Sequence, residues 1–314
     1  FAGNAARLLA LAGFYLSVEN GTEAKRLAEA AIGAEPSSSV AYQTLAMANR
    51  LNFDLEGAAT AYTKALELDP TSQLTKRSLA EIKRATGKSD QAESLYREIL
   101  SANEADTQAR NGLILAMFDA GKKEEAEIAL KQEIERNPTN LILFAGAAYW
   151  YAANNDGDRA VELASKAIAI EPRYIWSHIA LARGLMLQGK PVDAERVLVS
   201  ARKYGNFPTL EYEIAISRLK AGFFREAAEE LEKSFTTGED QVSTRLGGRI
   251  ERADRSFDDI LAPERQASIL APKGPADKAD SESLRSLFLL TRLVKKDDAD
   301  ETALAQAAES FVAG

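Results

Sequence analysis

The sequence predicts an all-α fold of the α-solenoid class: a right-handed superhelix of antiparallel helix pairs, closed by C-terminal capping helices. Three observations predict it. First, nearly the same phrase recurs: "KALELDP" from Lys64 to Pro70, "KAIAIEP" from Lys166 to Pro172, and "AIGAEP" from Ala31 to Pro36. The closing prolines keep one pitch, since Pro36 to Pro70 is 34 residues, Pro70 to Pro138 is twice 34, and Pro138 to Pro172 is 34 again. Second, alanine holds positions 24, 58, 92, 126, 160 and 194, with Ala227 one residue early. Third, the apolar residues inside each period follow a three-four rhythm, as in Leu8, Leu11, Ala12 and Tyr15 or Tyr42, Leu45 and Ala46, which is the signature of one helix face.

The elements follow in order. Each period opens with a helix carrying a Leu-small pair: Leu11-Ala12, Leu45-Ala46, Leu79-Ala80, Leu113-Ile114, Ala147-Ala148, Leu181-Ala182 and Ile214-Ala215. A break with Gly, Asn or Asp follows, its glycines being Gly87, Gly121, Gly189 and Gly222. A second helical run comes next, such as Ala92, Leu95, Tyr96 and Ile99. A proline then ends it, because proline cannot continue a helix. Seven such units start near Ala5, Ser39, Gln73, Thr107, Leu141, Ile175 and Pro208. The alanines have a packing reason: two antiparallel helices approach closely only where the facing residue is small.

Composition bounds the function. The 314 residues are 46% apolar and 27% charged, which suits a folded chain. There is no cysteine, so disulfides, thiolate zinc sites and thiol nucleophiles are excluded together. The formal net charge of -8 argues against nucleic acid, whose binders neutralise phosphate with basic side chains. The most apolar stretch, Leu141 to Ala153, is too short to span a bilayer, so no direct membrane insertion is expected of this chain. The chain starts at Phe1 without a methionine; the natural N-terminus is expected upstream, with room for a signal, an anchor or further repeats.

The repeat resembles the tetratricopeptide repeat family over about residues 5–240. The second unit carries most of that family's pattern in Tyr42, Leu45, Ala46, Ala58, Tyr62, Ala65 and Pro70, and the fifth in Phe144, Ala148, Tyr151, Ala160, Ala167 and Pro172. Asn49, Lys83 and Arg218 depart from it by replacing a large residue, and Glu104, Asn206 and Glu239 by replacing the closing proline; these put single helix ends in doubt.

The resemblance implies a non-catalytic scaffold or adaptor that holds a peptide or helical segment of another protein in an inner groove lined by the first helices. The frame places Gln43, Met47, Arg50, Arg77, Glu81, Arg84, Asn111, Phe118, Tyr149, Trp176, Arg183 and Tyr212 on that face. Arginines early and aromatics late suggest a partner with acidic and apolar anchors, although each aromatic could equally serve packing between repeats. A carboxylate-clamp role is not supported, because Arg77 and Glu81 stand where Lys and Asn are needed. The resemblance also leaves open a structural segment of a bacterial envelope assembly in secretion or exopolysaccharide export, or an adaptor feeding an enzyme such as a protease. On that ground the periplasm or cell envelope is favoured over the cytoplasm, and self-association stays open.

No catalysis, cofactor or metal is expected. His178 is the single histidine and reads as packing or a satisfied hydrogen bond; no nucleophile motif accompanies it. The register fades after about Ser234. A loop, helix and linker are expected over 236–280 and a capping helix pair over 281–314. The stretch Arg249 to Pro272, with Phe257, Ile260 and Leu261 beside Asp258 and Asp259, is a candidate to lie in the groove.

Overall fold

The computed structural model describes residues 4–18, 20–52, 54–205, 208–237 and Thr302. Most of 236–280 and 281–314, and all of Arg249 to Pro272, lie outside the described residues. Within them the chain is an all-α solenoid of helix pairs. It divides into two compact units, Phe1–Pro138 and Thr139–Gly314.

The first unit holds α1 (Ala5–Ser17), α2 (Gly21–Ala34), α3 (Ser39–Leu51), α4 (Leu55–Leu68), α5 (Gln73–Ala85), α6 (Ser89–Ala102), α7 (Thr107–Asp119) and α8 (Lys123–Arg136). The second holds α9 (Leu141–Ala153), α10 (Gly157–Ile170), α11 (Ile175–Leu187), α12 (Pro191–Ala201), a 3-10 turn (Arg202–Tyr204), α13 (Pro208–Ala221) and α14 (Phe224–Thr237). The odd-numbered helices begin where the periodicity starts each unit.

Local chemistry sets the boundaries. Eight helix starts in the two units use a short polar side chain that accepts a backbone N–H of the first turn: Asn4, Asn20, Ser38, Asp54, Ser72, Asp106, Asn140 and Asp156, which satisfies one orphan donor of the turn. At the far end of the second helices, Glu35, Asp69, Asn137 and Glu171 turn the chain into extended backbone; each precedes a proline, which disfavours the helical conformation at that residue. Asn103 adopts the same conformation (φ -147, ψ 89) without a following proline. Its side chain accepts the Ala105 N–H at 3.2 Å, so the Glu104 departure leaves the helix end intact.

Five of the first helices, α5, α7, α9, α11 and α13, are followed by a left-handed residue. Gly87, Gly121, Gly189 and Gly222 have φ between 71 and 84, and Asn155 has φ 61 at the same register. The residue after each donates its N–H back to the helix, as Lys88 does to the Lys83 carbonyl at 2.8 Å and Asp156 to that of Tyr151 at 2.9 Å. This closes the last turn and reverses the chain.

The core runs along the helix contacts. All seven alanines of the series, Ala24 to Ala227, are fully buried. In the first unit Ala92 sits with Ala80, Tyr96, Ile99, Ala109 and Ala116; in the second Ala194 sits with Ile179, Ala182, Leu198, Leu210 and Ile214. At Gly112 the Tyr96 ring fills the space of a side chain, since a Cβ there would lie 2.2 Å from it. One member of the leucine series departs: Leu11 is 46% exposed, beside exposed Phe14 and Val18, because no described element packs on that side of α1.

Two pairs of substitutions check these constraints. Ala92→Leu overpacks the α5–α6–α7 contact and should cost about 1–3 kcal/mol in urea unfolding, whereas Ala105→Leu at an exposed loop should change little. Asn155→Gly should stay within about 0.5 kcal/mol of the parent while Asn155→Val loses about 1–2 kcal/mol; equal effects would mean that the left-handed turn does not hold the register.

Candidate functional site

In the first unit the expected groove residues separate into two kinds. Gln43 is half-buried, Met47, Arg50 and Glu81 are exposed, and these four present surface. Arg77 and Arg84 do not offer open charge. Arg77 Nη2 donates to Asp106 Oδ2 at 2.5 Å and Arg84 Nε to Asp119 Oδ2 at 2.5 Å. Each pair ties α5 to the next first helix, α7. This corrects the expectation that these arginines await a partner's carboxylate: the chain supplies the carboxylates itself. The two aspartates respond differently. Burial works against the charge of Asp106, but the Ala109 N–H and the Arg77 guanidinium outweigh it and hold the carboxyl below its usual value. Asp119 is pushed up by burial in spite of Arg84.

Asn111 and Phe118 are also corrected. They are 6% and 1% exposed, since α7 is apolar on nearly every face and buries Leu115, Met117 and Phe118 together. Aromatic and amide side chains here pack the repeat instead of facing a ligand.

In the second unit three of the four expected residues form one surface. Trp176, in the first turn of α11, is 46% exposed. It meets the Tyr149 ring of α9 edge-on, with centroids 6.3 Å apart and planes at 78°. Arg183, two turns further along α11, lies over the Tyr149 ring with Cζ 4.7 Å from its centroid. Its Nε donates to both oxygens of Glu213 at 3.1 Å, and Nη2 adds a close contact. Glu213 itself is buried. The guanidinium is thus stacked on a ring and neutralised from below, a rigid arrangement that favours packing over charge recognition. Tyr212 falls out of the surface: it is 4% exposed, in a helix (α13) buried along most of its length.

His178 is buried, its Nε2 2.7 Å from the Pro172 carbonyl oxygen and its ring 5.8 Å from that of Tyr204. It holds the loop before α11, as a satisfied core histidine does.

One row was missed by reasoning from the frame. Val40, Leu74, Ile142 and Trp176 are 54%, 64%, 52% and 46% exposed. All four are the second residue of a first helix, on the same 34-residue register. The signal was available: subtracting the period from Trp176 lands on Ile142, and further multiples on Leu74 and Val40.

A buried charge cluster staples the end of the second unit. Arg202 reaches Glu211 and Glu230, and Arg218 reaches Glu230 at 2.9 Å and Glu195 at 2.8 Å. Three carboxylates thus share two guanidiniums. Burial pushes the Glu211 carboxyl up, and Glu230 beside it adds to the effect. Among the described residues no group of three or more His, Cys, Asp or Glu side chains could hold a metal ion, and no helix is long and apolar enough to cross a membrane.

Comparison with known proteins agrees with this geometry. Residues 39–72 and 78–140 each match a family model described as tetratricopeptide repeat. A solved tetratricopeptide repeat protein from Parabacteroides merdae is 18% identical, with a TM-score of 0.56 over 74% of this chain and 93% of that one; the likeness is one of fold. TTC0263, a thermophilic TPR protein in Thermus thermophilus, is 22% identical over 52% of this chain and 91% of that one, with a TM-score of 0.47. YrrB, described as a TPR protein with an unusual peptide-binding site, is 21% identical over 56% and 90%, with a TM-score of 0.43. A search of curated proteins gave no match.

The Glu211 cluster sets a pH dependence. A carboxyl whose folded pKa is raised lets the folded state bind the extra proton, so its contribution is present at low pH and lost as pH rises through the folded value. The stability of the parent relative to Glu211→Gln should therefore grow as pH is lowered from 7 towards 5, measured by urea unfolding at each pH. A difference that shrinks on acidification would reverse the assignment.

Proposed function

We propose that this chain, whose residues 39–72 and 78–140 match tetratricopeptide repeat models, acts as a non-catalytic scaffold that holds a peptide or helical segment of another protein against its first-helix faces. The observation that carries this reading is the Trp176, Tyr149 and Arg183 arrangement. Trp, Tyr and Arg are the side chains that most often supply binding energy at interfaces. Here they converge from two helices, with Trp176 46% exposed and its edge fixed by Tyr149. Such a fixed ring loses little conformational entropy when a partner covers it.

The chemistry of the anchor follows. Arg183 is already forked to Glu213, so a partner's carboxylate would have to compete with a buried internal one. An apolar or ring-bearing side chain laid against Trp176 meets no such competition. The acidic anchor first expected is therefore confined to Arg50, which is exposed.

A display selection of peptides on the whole chain tests this. The protein has two tryptophans, and Trp150→Phe leaves Trp176 as the sole reporter of emission. Selected peptides should shift that emission and bind Trp176→Ala about tenfold or more weaker, while Arg196→Glu, on the exposed side of α12, binds as the parent does. Peptides that bind the folded Trp176→Ala protein with parental affinity would place the surface elsewhere.

A further inference from the structure

We propose that the first unit carries a docking edge for a basic amphipathic helix of another protein, with Val40 and Leu74 as its apolar contacts and Glu35 and Asp69 as its charged ones. Thirteen large apolar side chains are substantially exposed among the described residues. Single ones need no explanation, but four of the thirteen occupy one register position, the second residue of a first helix. A residue that packs between repeats recurs because the packing recurs. These recur and are more than 45% exposed, so packing does not account for the row.

Geometry limits what can cover it. In the first unit α4 packs against both α3 and α5, which keeps these first helices within one to two helix spacings of each other, about 10–20 Å or one to two heptads of a partner helix. Val40 and Leu74 therefore stand about that far apart. Seven residues of an α-helix rise about 10.5 Å, and side chains seven apart lie on one face. A partner helix with an apolar residue at every seventh position matches both contacts at once.

Charge limits it further. Glu35 and Asp69 each stand five residues before a contact residue, in the loops "EPSSSV" and "DPTSQL", which contain no Lys or Arg. Glu35 is exposed. One oxygen of Asp69 takes the Thr71 N–H and hydroxyl, at 3.1 and 2.7 Å. The cations that follow Leu74 are engaged: Lys76 with Glu98 at 3.2 Å and Arg77 with Asp106 at 2.5 Å. The edge presents apolar side chains bordered by carboxylates, and the complement is an apolar stripe bordered by Lys or Arg.

The edge lies wholly in the first unit and does not depend on the Trp176 surface. A labelled synthetic helix of about 18 residues, with Leu at every seventh position, Lys on both flanks and Ala elsewhere, is the probe, titrated by fluorescence anisotropy into the whole protein. It should bind, and bind more weakly as salt is raised. The double variant Val40→Ser, Leu74→Ser should lose at least tenfold, and Glu35→Gln with Asp69→Asn should weaken binding and flatten its salt dependence. Ile128→Ser and Trp176→Ala should leave it unchanged, which separates this edge from the other surface. Parental binding by the double serine variant, or equal binding of a peptide with Glu in place of Lys, would overturn the proposal. So would a dimer in sedimentation that dissociates on the same serine substitutions, since a second copy would then be the occupant.

Discussion

Everything in this chain hangs on the contact made at one alanine per repeat. The first and second helices of a pair touch where Ala24, Ala58, Ala92 and their successors sit, each fully buried. With a methyl group as the only side chain, the helix axes can close to the short end of their usual separation. The facing Leu-small pair then packs against the second helix, and the outer sides of both helices become available to the next pair. A larger residue would open one pair and shift every contact that pair makes with its neighbours, because each repeat touches only those neighbours.

The charged side chains serve the same stacking, and that narrows what is left for a partner. Lysine at an N-cap is unfavourable, since the helix N-terminus is itself positive. Yet Lys88 and Lys122 cap second helices. Lys88 Nζ reaches Glu56 at 2.9 Å, and Lys122 Nζ reaches Glu93 at 2.8 Å, each in the early part of the preceding second helix. The carboxylate of one repeat offsets the misplaced cation of the next. Arg77 with Asp106 and Arg84 with Asp119 link consecutive first helices in the same way. With Arg77, Arg84 and Arg183 engaged internally, Arg50 is the one exposed arginine of the expected face.

The fold was legible and the surface only partly so, for a physical reason. Packing between repeats imposes the same demand every 34 residues, so Ala58, Leu79 and Gly121 announce themselves by recurrence. Whether a side chain on a first helix is covered depends on its neighbours in space. Phe118 and Trp176 look alike as aromatics on the expected face. The first is 1% and the second 46% exposed, because Phe118 sits among Leu115 and Met117 on an apolar helix whereas Trp176 sits in a first turn beside a loop. Arg77 could not be told from an open arginine without knowing that Asp106, nearly a full period later, would lie beside it. The position of Asn155 was the reverse case: a gap in the glycine series that asparagine, unlike bulkier residues, fills with little strain.

Recurrence itself has two meanings. Repeated positions ordinarily mark scaffold, and variable ones mark the place of recognition. That holds where the repeated residue is buried, as at every alanine of the series. It fails for the second residue of the first helices, where repetition and exposure coincide at Val40, Leu74, Ile142 and Trp176. Gln108 interrupts the row and Thr209 ends it, so the row is not a requirement of the helix start, which forms equally well on a polar residue. A feature that the helix tolerates losing, and that the core does not use, is free to be tuned by what binds outside.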